Sequence, residues 1–195
     1  PGTLVYNSWI TMQRLGEKDP NTCAYNDLAL IKLDPADYGK VNPSVPNWSG
    51  PTGVGGTAAG QTVYSYGNSE LRGGVTQLSP KVGKVVQEDG GGWTHTLYTL
   101  TPGIPGDSGS AFLDDKGQAL GVLSTVAIAP VTGPNGVGDL NQELNYANGH
   151  GGPFPPAPAT HQSPGGLPPS TFPRLARSAR PPATRRHPTT ATRRG

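Results

Sequence analysis

Between residues 3 and 148, short stretches rich in β-branched and aromatic residues are broken by Gly or Pro about every ten residues, a punctuation that long helices do not tolerate. Each apolar stretch suits one strand and is too short for a packed helix of ordinary length. The expected class is therefore all-β, with strands over residues 4–15, 28–33, 61–66, 81–87, 93–100, 109–113 and 118–126. One helix is expected, over 141–146: Asp139 is placed to cap it, Leu140 and Leu144 share a face, and Glu143 falls in its first turns. Residues 41–60 hold three Pro and five Gly without a period and read as a connection between two folded parts.

Charge divides the chain more sharply than hydropathy does. Residues 1–148 carry all 13 acidic side chains against eight Lys and Arg, a net charge of −5. Residues 149–195 carry seven Arg with no Lys, Asp or Glu, a net charge of +7, together with 11 of the 22 prolines. With Phe154, Phe172, Leu167 and Leu175 as its large apolar groups, this tail buries too little surface to offset its ordering entropy and is expected to be disordered. Its GC-rich codon alphabet is also what an out-of-frame reading would produce. No apolar run approaches the ~18 residues of a membrane span. Cys23 is alone, and one thiol neither staples a fold nor builds a zinc site; it is an inert packed residue or the orphan of a disulfide.

Two motifs carry chemistry. Residues 102–112 read PGIPGDSGSAF, in which Gly106-Asp107-Ser108-Gly109 sets a hydroxyl on a glycine-flanked turn. As a nucleophile, Ser108 would have the N–H groups of Gly106 and of its own backbone available as a two-donor oxyanion pocket. A Gly-rich hairpin with an incidental Ser is the plainer reading of that motif taken singly. Upstream, Asn26-Asp27-Leu28-Ala29-Leu30-Ile31 places a carboxylate just before an apolar strand, where it is either an ordinary turn residue or a group drawn inward by a partner.

Together these motifs resemble the chymotrypsin-like serine proteases, most closely their secreted actinobacterial branch, over residues 1 to about 148. The likeness extends to Gly121-Val122-Leu123-Ser124, similar to the strand lining the substrate edge, and to Asn135-Gly136-Val137 before the final helix. It implies a double antiparallel β-barrel with a short C-terminal helix and a site in the cleft between the barrels. On that pattern residues 1–40 are the remnant of the N-terminal barrel, 41–60 the inter-barrel linker, 61–148 the C-terminal barrel and helix, and 149–195 the disordered tail. The resemblance implies Ser108 as nucleophile, Asp27 as the carboxylate orienting the base, Gly106 and Ser108 as oxyanion donors, and Ser124 as part of the substrate edge and of the Asp27 surroundings. Asp107 would be a buried acid held by a cation the sequence does not name. Pro102 stands where trypsin-like relatives carry the Asp of their pocket, which argues against a Lys or Arg preference, and Val126 would narrow the slot toward small or medium apolar side chains.

One element of the pattern is missing. The family's general base is a His preceding the Asp, and residues 1–26 contain no His. Ser108 then lacks an acceptor for its proton. The implied reading is a secreted serine endopeptidase needing no cofactor or metal, monomeric if complete and acting on peptides or proteins, of which this chain is an inactive copy truncated before the His and prone to aggregation through unpaired strand edges. His95, on the expected strand at 93–100, falls on the same face as Trp93 and Leu97 and is expected to be packed rather than catalytic. Leu123 disfavours a glutamate-specific pocket. Two other classes compete: a protease-like binding module without catalysis, and a polyanion binder working through the Arg-rich tail, the latter disfavoured by the tail's sparse aromatic residues.

Overall fold

A computed structural model describes residues 1–126 and 134–153, with Val126 described in its backbone only. Of the tail expected to be disordered, 149–195, the first five residues are described and Gly149 belongs to the final helix; the rest lies outside the described residues, as do His161, His187 and the side chain of Val126.

The strand expected over 4–15 divides in two. Strand β1, Gly2–Asn7, gives way to helix α1, Ser8–Leu15. The Asn7 side chain accepts a hydrogen bond from the Ile10 N–H, and Gly16, in the left-handed region at φ 67°, closes the far end on the Gln13 carbonyl. These two caps satisfy backbone groups that the apolar pattern of Trp9, Ile10 and Met12 had suggested would pair in a sheet. A second unforeseen helix, α2 (Pro20–Tyr25), begins with Asp19 as cap and proline in its first turn. β2, Ala29–Leu33, pairs antiparallel with β1. The N-terminal part is thus a two-stranded sheet with two short helices.

The remainder closes properly. Strands β3 (Thr62–Tyr66), β4 (Pro80–Asp89), β5 (Thr94–Thr99), β6 (Ala111–Leu113), β7 (Ala119–Val126) and β8 (Pro134–Asp139) form an antiparallel barrel in the order β3-β4-β5-β8-β7-β6, with β6 returning to β3. Its interior holds Val63, Val85, Leu97, Phe112, Leu120, Leu123 and Val137. Each such side chain contributes roughly 1.5–3 kcal/mol when fully buried. β8 was not expected, because Pro134, Gly136 and Gly138 carry no strand signal. It forms because β5 and β7 both pair with it, and Val137 fills the core between them. Residues 52–55 run along the start of β7, where Ala119 donates to the Gly53 carbonyl and accepts from Gly55.

Helix α3, Leu140–Gly149, starts at the expected cap: Asp139 accepts from the Gln142 N–H at 2.9 Å. The residues it buries are Glu143 and Ala147; Leu140 and Leu144 are half-buried.

Candidate functional site

The Ser108 turn is built around the residue before it. Asp107 donates its N–H to the Ile104 carbonyl, and its own carbonyl accepts from Ser110. Winding the chain this tightly needs left-handed backbone on both flanks, supplied by Gly106 at φ 94° and Gly109 at φ 82°. Gly109 then donates to the Leu123 carbonyl at 2.8 Å, which fixes the turn against β7. Ser108 is exposed. Among the described residues, its hydroxyl and the N–H groups of Gly106 and Ser108 have no hydrogen-bond partner.

Asp107 points the other way, into the protein, and is 1% exposed. The cation that the sequence did not name proves to be two. Lys81 Nζ, from β4, stands 2.9 Å from Asp107 Oδ2, and Arg72 Nη2, from the turn Glu70–Arg72, contacts the same oxygen. The N–H groups of Ser69 and Ile104 donate to the carboxylate at 3.0 and 3.2 Å. Burial pushes the Asp107 carboxyl upward, but the bonds from Lys81 and Arg72 outweigh it and hold the group below the usual carboxylate range. Burial also pulls the Lys81 ammonium down, against the pull of Asp107. The Pro102 carbonyl accepts from both cations, at 3.3 Å from Arg72 and 3.4 Å from Lys81. Pro102 therefore braces this cluster through its backbone.

Asp27 arrives from the N-terminal part. The end of α2 buries Asn26 and leaves Asp27 exposed on its surface rather than drawn inside. Two contacts fix it: its carboxylate accepts from Ser124 Oγ at 2.9 Å, and its N–H donates to Glu143 Oε1 at 3.3 Å. Ser124 reaches outward because β7 is irregular there, Leu123 facing Val137 while Thr125 faces Gly136. A bulge of this kind re-aims one side chain without breaking the barrel. Glu143 is fully enclosed, and burial, with Asp27 and Asp139 nearby, pushes its carboxyl up to about 8. It is accordingly a neutral donor-acceptor at neutral pH.

Asp27, Ser124 and, through Leu123, the Ser108 turn are thus assembled along one strand. His95 is not with them. It is 3% exposed, and its Nε2 lies 2.8 Å from Asp139 Oδ2, beneath the start of α3. His150 stacks on Tyr146 and bonds its carbonyl. Neither described histidine bonds Asp27 or Ser108. Cys23 is half-buried with its Sγ 3.6 Å from the Glu17 carbonyl. Sequence reasoning missed Arg72, Lys81, Glu143 and Asn135; the last accepts from the Gly103 N–H at 2.8 Å and so ties β8 to the loop leading into Ser108.

No family model matches the chain, and no curated protein does. Among solved structures, it aligns with protease A of Thermobifida fusca at 21% identity and a TM-score of 0.46, covering 63% of this chain and 66% of that one. A chymotrypsin of Cellulomonas bogoriensis aligns at 21% identity and 0.44, covering 64% and 68%. A glutamic acid specific serine protease aligns at 17% identity and 0.43, covering 64% and 66%. The chain therefore spans just under two thirds of the length of the Thermobifida protease.

Proposed function

We propose that the chain carries a serine-endopeptidase site lacking its general base. The observation that carries this reading is the Ser124–Asp27 hydrogen bond, which ties the Asp27 segment to the strand that also holds the Ser108 turn. In the proposed reaction Ser108 Oγ attacks the peptide carbonyl carbon, and the oxygen that becomes negative is held by the free N–H groups of Gly106 and Ser108. An imidazole accepts the Ser108 hydroxyl proton and passes it to the leaving amine as the C–N bond breaks, and water then cleaves the Ser108 ester, releasing the carboxylic acid and restoring the hydroxyl. Asp27 is exposed where an imidazole would sit against it, and the chain is expected to be inactive without one. Pro102 and Val126 favour small or medium apolar side chains before the cleaved bond, and export from the cell belongs to the same reading.

Adding imidazole in solution tests this. Hydrolysis of a p-nitrophenyl ester should exceed the rate given by the same imidazole concentration without protein, and Ser108→Ala should remove that excess. An imidazole-dependent excess unaffected by Ser108→Ala overturns the nucleophile. The second reading, a binding module on the same frame, is favoured by the absence of a described histidine beside Asp27. It predicts peptide binding with no Ser108-dependent excess.

A further inference from the structure

Beside Gly106 lies an open depression lined by Asn68, Ser69, Glu70, Leu71, Pro105 and Gly106. None of these residues belongs to β7, the strand that carries the Leu123 carbonyl and Ser124. For a peptide whose scissile carbonyl sits at the Gly106 and Ser108 N–H groups with one half along β7, the depression that begins at Gly106 lies open to the other half. Gly106 forms the boundary between the two halves. At φ 94° its backbone packs so closely on Ser69 that a Cβ there would meet Ser69 Oγ at 2.8 Å. Ser69 is itself fixed, its hydroxyl donating to the Pro105 carbonyl at 2.6 Å and its N–H to Asp107. The wall is thus rigid and joined directly to the cluster that shapes the Ser108 turn.

Its chemistry is defined by two exposed side chains. The Glu70 carboxylate is exposed and has no ion pair or hydrogen bond among the described residues, the residue's one hydrogen bond being from the Gly73 N–H to its backbone carbonyl. The nearest cation in sequence, Arg72, is committed to Asp107 and to the Pro102 carbonyl. Leu71, beside it, is 73% exposed. An uncompensated carboxylate next to bare aliphatic surface matches a Lys or Arg side chain, whose stem covers apolar surface while its head stays in water beside the acid.

We propose that this depression is a subsite for a basic side chain on the leaving-group side of the cleaved bond, with Glu70 as its specificity-determining residue and Leu71 as the surface that the aliphatic stem covers. The inference rests on the serine-endopeptidase reading for its orientation. It is independent of the side chain preferred before the cleaved bond, where Pro102 opposes a basic residue.

Equilibrium binding tests it without requiring turnover. Fluorescein-labelled peptides of sequence Ala-Ala-Pro-Ala followed by Lys-Lys, Gln-Gln or Glu-Glu would be titrated with the full chain at low salt and followed by anisotropy. The Lys peptide should bind about two- to fivefold more tightly than the Gln peptide, the range of an exposed ion pair. Glu70→Gln should erase that ratio, and Glu70→Lys should transfer the preference to the Glu peptide. Leu71→Ser should weaken the Lys peptide while leaving the Glu peptide unchanged. Equal affinities in the unmodified chain, an unaltered ratio in Glu70→Gln, or no binding of any peptide overturns the subsite. A Glu70-dependent preference in a chain whose Ser108 fails the imidazole test overturns the catalytic reading and with it the leaving-group assignment, whereas no preference in a chain that passes that test overturns the subsite alone.

Discussion

Ser124 Oγ donates to Asp27 Oδ2 across 97 residues of sequence, and this bond fastens the N-terminal sheet and helices to the outside of the barrel beside the Ser108 turn. Its partner bond, from the Asp27 N–H to Glu143, makes the same junction from α3. Replacing Ser124 by Ala removes one hydrogen bond at an exposed carboxylate. The unfolding free energy in urea should fall by about 1 kcal/mol or less, while the imidazole-dependent ester rate should fall several-fold. A rate that does not move at all separates Asp27 from the chemistry.

The Asp107 cluster should be far less forgiving. Asp107→Ala leaves the Arg72 and Lys81 cations facing each other in the interior, a situation that costs roughly 3–5 kcal/mol. The urea midpoint should drop accordingly, and the Ser108-dependent ester hydrolysis seen with added imidazole should disappear. Lys81→Met is expected to be milder, because Arg72 remains on the carboxylate. Equal losses for both substitutions would show that Arg72 does not hold Asp107 by itself.

Glu143 sets the response to pH. Its carboxyl is raised to about 8 in the folded chain and returns to about 4.5 when unfolded. Between those values the folded state holds a proton that the unfolded state releases, so stability falls as pH rises through that window. At 1.36 kcal/mol per unit, the swing approaches about 4 kcal/mol. Glu143→Gln keeps the shape and removes the titration. Its urea midpoint should vary less between pH 5 and 8 and exceed that of the parent at pH 8; parallel pH profiles for the two proteins would place the titration elsewhere.

His95 has a structural assignment that a substitution can check. His95→Ala removes a buried ring and leaves the Asp139 carboxylate with the N-cap bond from Gln142 as its remaining hydrogen bond. A loss of roughly 2–4 kcal/mol is expected from the cavity and the missing hydrogen bond. The Ser108-dependent excess rate in imidazole, measured where the protein remains folded, should be unchanged; its disappearance would bring His95 into the reaction.

These outcomes depend on residues of very uneven legibility in the sequence. Strands β3 to β7 follow from alternation and turn residues because each lines a barrel whose inner face is apolar, and the Asp139 cap is a local signal that survives folding. Ser108 and Asp27 stand in motifs where side-chain identity and neighbours are read together. Arg72 and Lys81 could not be found this way, since neither the surface-like sequence Glu70-Leu71-Arg72 nor a lysine opening a strand announces a buried cation. They go inside only because Asp107 is there. Glu143 likewise reads as a first-turn acid on the helix surface, and its burial follows from how α3 lies against Asp27 and Gly138. β8 and α1 were misread for opposite reasons: neighbouring strands imposed a partner on a glycine-rich segment, and two capping residues took an apolar segment out of the sheet.

Both counterions of Asp107 are side chains within the barrel portion of the chain, one on β4 and one on the turn before it. The carboxylate is therefore neutralised by the same strands and turn that frame the Ser108 turn. Within the described residues, the Ser108 turn needs no charge from outside the barrel portion to neutralise Asp107.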